Sequence, residues 1–148
     1  MPSLFDPQMR TAILDRIACL SPERRPLWGR FTAAEMVCHV SCDLRQGLRE
    51  LVTGPPSGPL ARFPLNWLVI HVVPWPKGKG RSPPEFLATP PTRWAEDVSR
   101  LRDLIERFAA RGPEAAWPRS RVFGRISGHS WGVLEHKHLD HHLRQFGV

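Results

Sequence analysis

Only three cysteines occur among the 148 residues, an odd number that excludes a framework of paired disulfides and suits a reducing compartment. Long apolar runs are also missing. The longest, Trp67-Leu68-Val69-Ile70-His71-Val72-Val73, falls far short of the roughly 20 residues a membrane-spanning helix needs. The opening MPSLFDPQMR has neither the basic start nor the apolar stretch of an export signal, so the expectation is a cytoplasmic protein with no membrane partner. No segment alternates polar and apolar residues between hairpin turns, which argues against a β-rich fold. Lysine is confined to Lys77, Lys79 and Lys137, so the formal net charge of +7 is almost all arginine. Outside Lys77-Gly78-Lys79-Gly80-Arg81 these arginines alternate with Asp and Glu on helix faces. A nucleic-acid binder is marked by clustered charge rather than total charge, and the spread here argues against one. The glycines of that run neither follow a strand nor open a helix, so they do not form a nucleotide-binding loop.

What is present is enough for one domain spanning residues 1–148, with a core that needs no covalent staple. Of the sixteen prolines, ten lie between Thr53 and Thr92. Proline removes a backbone donor and breaks helix interiors, so this stretch is mostly connection. Helical signals surround it. Asp6-Pro7 reads as a cap and first helical position, followed by Met9, Ile13, Ile17 and Leu20, giving a first helix over 6–20. Thr32 and Glu35 form a capping box. From it Met36, Val40, Leu44, Leu48 and Leu51 carry an apolar stripe as far as Gly54-Pro55. Thr92 opens a third long helix that ends at Gly112-Pro113, and Ser127 caps a last one running to Phe146. With a short extra helix near 64–73, the expectation is an all-α protein: a four-helix bundle with a long Pro-rich crossover between its second and third helices.

The last helix carries the most specific signal, His136-Lys137-His138-Leu139-Asp140-His141-His142. Residues four apart share a helix face, so His138 and His142 can point two imidazoles at one place, while His136 lies about 200° around from His138 and is expected in solvent. Two imidazoles make a weak transition-metal site and a third ligand makes a strong one. The best candidate is His39, at the edge of the stripe on the second helix. For His39 to reach the pair, the second and last helices must run antiparallel. That follows if the 54–91 stretch crosses the bundle end to end. The same histidines can equally pair with Asp140 or Glu135. Asp43, one turn beyond His39, and Glu135, one turn before His138, are placed to orient a ligand or move a proton, and His141 also neighbours His138. Cys38 and Cys42 flank His39 but read as buried core thiols, and His71 and His129 as hydrogen-bonded or surface residues.

His138-Leu139-Asp140-His141-His142-Leu143-Arg144-Gln145 resembles the final-helix His-x-x-His-His-x-x-Gln region of the DinB-like superfamily. The segment Thr32 to Val40 resembles the opening of that superfamily's second helix. Phe86 to Pro91 and His138 to Gly147 look closest to a bacterial branch of unknown function. The resemblance covers essentially the whole chain. It implies a four-helix bundle with a crossover after helix two, and a divalent metal, zinc, nickel or iron, held at His39, His138 and His142. Relatives in that superfamily include metal-dependent thiol S-transferases, a mycothiol-dependent isomerase and the metal-binding domain of a sulfoxide synthase. The implied activity is therefore a metal-dependent thiol S-transferase or hydrolase, acting on an unidentified small molecule, with a low-molecular-weight thiol as cofactor and homodimers as the assembly. Against this stand a non-enzymatic metal-binding or interaction module and, with less support, a nucleic-acid-associated protein.

Overall fold

A computed structural model describes residues 1–148. Its elements are α1 (Pro7–Ala18), α2 (Ala33–Gly47), α3 (Leu65–His71), α4 (Trp94–Arg111) and α5 (Gly128–Gln145), with 3-10 turns at Pro59–Ala61 and Pro84–Phe86 and no strands. Three of the long helices begin where a side chain takes up free backbone donors. Asp6 accepts from the amides of Gln8 and Met9 ahead of Pro7, Thr32 and Glu35 close both arms of the capping box, and Ser127 accepts from Ser130.

Two expected boundaries move. α2 stops at Gly47 rather than near Gly54, because Arg49 adopts a left-handed backbone (φ 65°) and the amides of Glu50 and Leu51 both turn back to the Arg45 carbonyl. The apolar stripe outlasts the helix because Leu48 still packs against the core from the turn. α4 starts at Trp94, not Thr92. The amide and hydroxyl of Thr92 instead donate to the carboxylate of Asp97, each at 2.8 Å, giving that buried group its partners.

Side-chain pairings set the helix directions. Gly47 approaches Phe108, while Cys38 shares a small cleft with Asp97 and Arg100, so α2 and α4 run parallel. His39 meets His138 and His142 whereas Asp43 meets His138 and Glu135, so α2 and α5 run antiparallel. The Pro-rich link thus crosses the molecule end to end, as the ligand argument required. Trp131, Phe108, Phe146, Leu101 and Ile105 fill the shared core, each large apolar side chain contributing about 1.5–3 kcal/mol by burial. Within the crossover, Trp75 packs on the core, whereas Trp67 is 48 % exposed. Lys137 fastens the end of α3 by donating to the carbonyls of Val69, Ile70 and, just beyond the helix, Val73. None of the helices is long and apolar enough to cross a membrane.

The N-terminal segment lies directly on α5, where the amide of Leu4 donates to the carbonyl of Gly132 (3.1 Å). A Cβ at Gly132 would stand 2.4 Å from Phe5 and Ser3 atoms. Gly132→Ala is therefore expected to cost about 1–3 kcal/mol through overpacking. Urea unfolding measures this, and an unchanged midpoint would show that the segment does not dock here.

Candidate metal centre

Three histidine rings form a nearly equilateral triangle, with centroids 5.0 Å (His39–His138), 5.0 Å (His39–His142) and 4.9 Å (His138–His142) apart. One ligand nitrogen from each lies within 4.8 Å of the others. The three residues are buried, His39 4 %, His138 5 % and His142 8 % exposed. His39 comes from the middle of α2 and the other two from successive turns of α5, which is how the antiparallel arrangement brings them to one place.

The protons on two rings follow from their partners. His39 Nδ1 faces the Phe86 carbonyl oxygen at 3.2 Å. A carbonyl only accepts, so Nδ1 carries the hydrogen and Nε2 of the neutral ring is left with a lone pair. Gln145 Nε2 donates to the Trp28 carbonyl at 2.7 Å, which fixes the amide so that Oε1 accepts from His142 Nδ1 at 2.8 Å. His142 Nε2 is then also a lone pair. His138 Nδ1 lies 3.0 Å from Asp43 Oδ2, close enough for an ion pair but outside hydrogen-bond alignment. Its Nε2 stands 3.1 Å from His39 Nε2. Each ring is thus braced through Nδ1 or approached there by an acceptor, with Nε2 turned inward, the arrangement by which surrounding groups aim histidines at a metal.

Burial, followed by the neighbouring His138 ring, pushes the His39 imidazole down to about 4. His142 is driven well below the usual imidazole range by burial, then by His138 and His39. Both rings are therefore neutral, the state a ligand requires, at any pH near 7. Aromatic rings roof the cluster: Phe31 stacks on His39 at 5.0 Å and leans on His142, and Trp75 leans on His138 at 5.8 Å.

The donor set fits a divalent transition metal. A proton shared by His39 and His138 joins only two of the three nitrogens, and His142 Nε2 has no protein donor. A cation accommodates all three lone pairs at once. His39, His138 and His142 could hold a metal ion, and so, separately, could Asp43, Glu135 and His138.

The remaining candidates separate clearly. Asp43 and Glu135 lie behind His138. His141 sits beside His142, near Trp28 and Trp75, outside both ligand clusters. His136 is half-buried rather than in solvent, and burial lowers its pKa, because it is enclosed near Asp140, Arg16 and Arg144. Asp140 pairs with Arg144 and also with Arg16 from α1, so it does not serve the histidines. Cys38 and Cys42 are buried free thiols, His71 bonds to Ser130, and His129 is exposed near Glu114. Sequence reasoning missed the Phe86 carbonyl, a backbone group with no signature, and the bracing role of Gln145, signalled only by its place at the end of the His-x-x-His-His-x-x-Gln pattern. No protein family, curated protein or solved structure matches the chain in comparisons with each.

Proposed function

We propose that this chain is a four-helix bundle of the DinB-like kind, built from α1, α2, α4 and α5, which holds a divalent transition metal through His39, His138 and His142. The observation that carries this reading is the convergence of three buried imidazoles with Nε2 inward and an acceptor against each Nδ1. Zinc, nickel and iron all accept such ligands. Three protein ligands leave a coordination position open, and an ion there supplies Lewis acidity that lowers the pKa of a bound thiol or water. The protein's own part is to keep His39 and His142 neutral, hold those two rings through the Phe86 carbonyl and Gln145, set Asp43 against His138, and shield the centre with Phe31 and Trp75. That combination suits a metal-dependent thiol S-transferase or hydrolase acting on a small molecule, with two copies pairing as the superfamily resemblance implies.

A second reading, a non-enzymatic metal-binding module, is favoured by the roofing rings and by the low exposure of all three ligands. Metal analysis of protein purified without a histidine tag tests the common ground. Bound metal is expected in the wild type and its content falls in His138→Ala and His142→Ala; unchanged content in both variants would refute the site. Turnover of low-molecular-weight thiols with electrophiles then separates enzyme from module, and no turnover across a broad panel supports the module.

A further inference from the structure

Behind His138, on the side away from the three-nitrogen cluster, lies a second group of buried donors. Asp43 from α2 and Glu135 from α5 each bring an oxygen within 4.8 Å of the other and of a His138 nitrogen. That nitrogen is Nδ1, 3.0 Å from Asp43 Oδ2, since Nε2 is turned to His39. Glu135 is fully buried, and neither of its oxygens nor His138 Nδ1 has a hydrogen-bond partner. Native proteins rarely leave buried polar atoms in this condition; buried charges are paired or coordinate metals. The charge acting on Glu135 is that of Asp43, which has the same sign. All three of these unpartnered atoms are of kinds that can ligate a cation.

We propose that Asp43, Glu135 and Nδ1 of His138 hold a second divalent cation, with the His138 ring bridging it to the ion held by the three histidines. The bridge rests on the three-histidine reading, while the pocket has its own donors. Two carboxylate oxygens and one imidazole nitrogen suit manganese, iron or zinc better than a soft, thiolate-seeking ion. Charge balances as the ion arrives: His138 gives up its Nδ1 proton and Glu135 any proton it holds, both leaving to solvent, as ligand deprotonation requires. Asp43, from another helix, closes the site across the α2–α5 interface.

The test uses the full chain without a tag, stripped of metal, saturated with zinc chloride, desalted and analysed for zinc per chain. Two ions are expected in the wild type, one in Glu135→Gln, one in His39→Ala and none in His138→Ala. A single wild-type ion, kept by Glu135→Gln and lost by His142→Ala, overturns the second site and leaves the three-histidine reading standing. A single ion lost by Glu135→Gln but kept by His39→Ala and His142→Ala supports the pocket and overturns the three-histidine reading, and with it the bridge. Circular dichroism confirms folding. Should Glu135→Gln fail to fold, Asp43→Asn replaces it with the same expected loss of one ion, and its keeping both overturns the proposal.

Discussion

Zinc added to the metal-free protein is expected to raise its unfolding temperature, and His142→Ala, which leaves only the Asp43, Glu135 and His138 pocket intact, to reduce the rise. Binding to the folded state alone stabilises by RT ln(1 + [L]/Kd), about 4 kcal/mol at a thousandfold excess over Kd. In a chain of this size that corresponds to roughly 8–16 °C. The effect is large because the folded chain holds three inward lone pairs close together, a preorganised set that an unfolded chain does not present. Gln145→Met gives a graded version. It leaves His142 Nδ1 and the Trp28 carbonyl without partners, and removal of such a brace costs about 10–100-fold in metal affinity. Scanning calorimetry with and without zinc reads both effects. The same midpoint in both conditions would defeat the metal-centre assignment.

The metal-free protein also has a pH dependence with two opposing arms. His39 is held at about 4 in the folded state against 6.5 ordinarily, chiefly by burial. Its neutral form therefore favours folding above pH 6.5, and that contribution is lost as pH falls through about 4; the full shift is worth about 3 kcal/mol. His142 acts in the same direction. Glu135 acts in the opposite one: burial, then Asp43, raises its pKa well above 4.5. Its protonated form favours folding, and this contribution is complete below pH 4.5 and lost as pH rises. Between 4.5 and 6.5 the two arms partly cancel, and variants separate them. Stability of Glu135→Gln should climb with pH more steeply than wild type. For His39→Gln the slope should fall, by up to about one proton or roughly 1.4 kcal/mol per pH unit. Urea unfolding across pH 4.5–6.5 measures these slopes, and identical slopes in the three proteins would show that neither group is held as described.

Helix capping and periodicity already contain most of the secondary structure. Asp6-Pro7, the Thr32/Glu35 box and Ser127 mark starts that local hydrogen bonds enforce wherever the helix later packs. The boundaries moved where a local contact that capping and periodicity do not encode intervened. Thr92 is taken from capping by Asp97, and α2 is closed at Arg49 by a left-handed turn that an apolar stripe does not encode.

The same division runs through the site. Helical spacing in the sequence puts His138 and His142 on one helix face and makes His39 the best third candidate, and a long proline-rich link allows the antiparallel approach. Only the tertiary structure decided which ring nitrogens face inward, because that depends on the Phe86 carbonyl and on the Gln145 amide held by Trp28. It also decided that Glu135 is sealed beside Asp43 without a donor and that His136 is enclosed near Arg16. Helical spacing specifies which residues of one helix point the same way. It cannot specify what another segment places opposite them, and at a buried polar site those opposing groups set protonation and ligand direction.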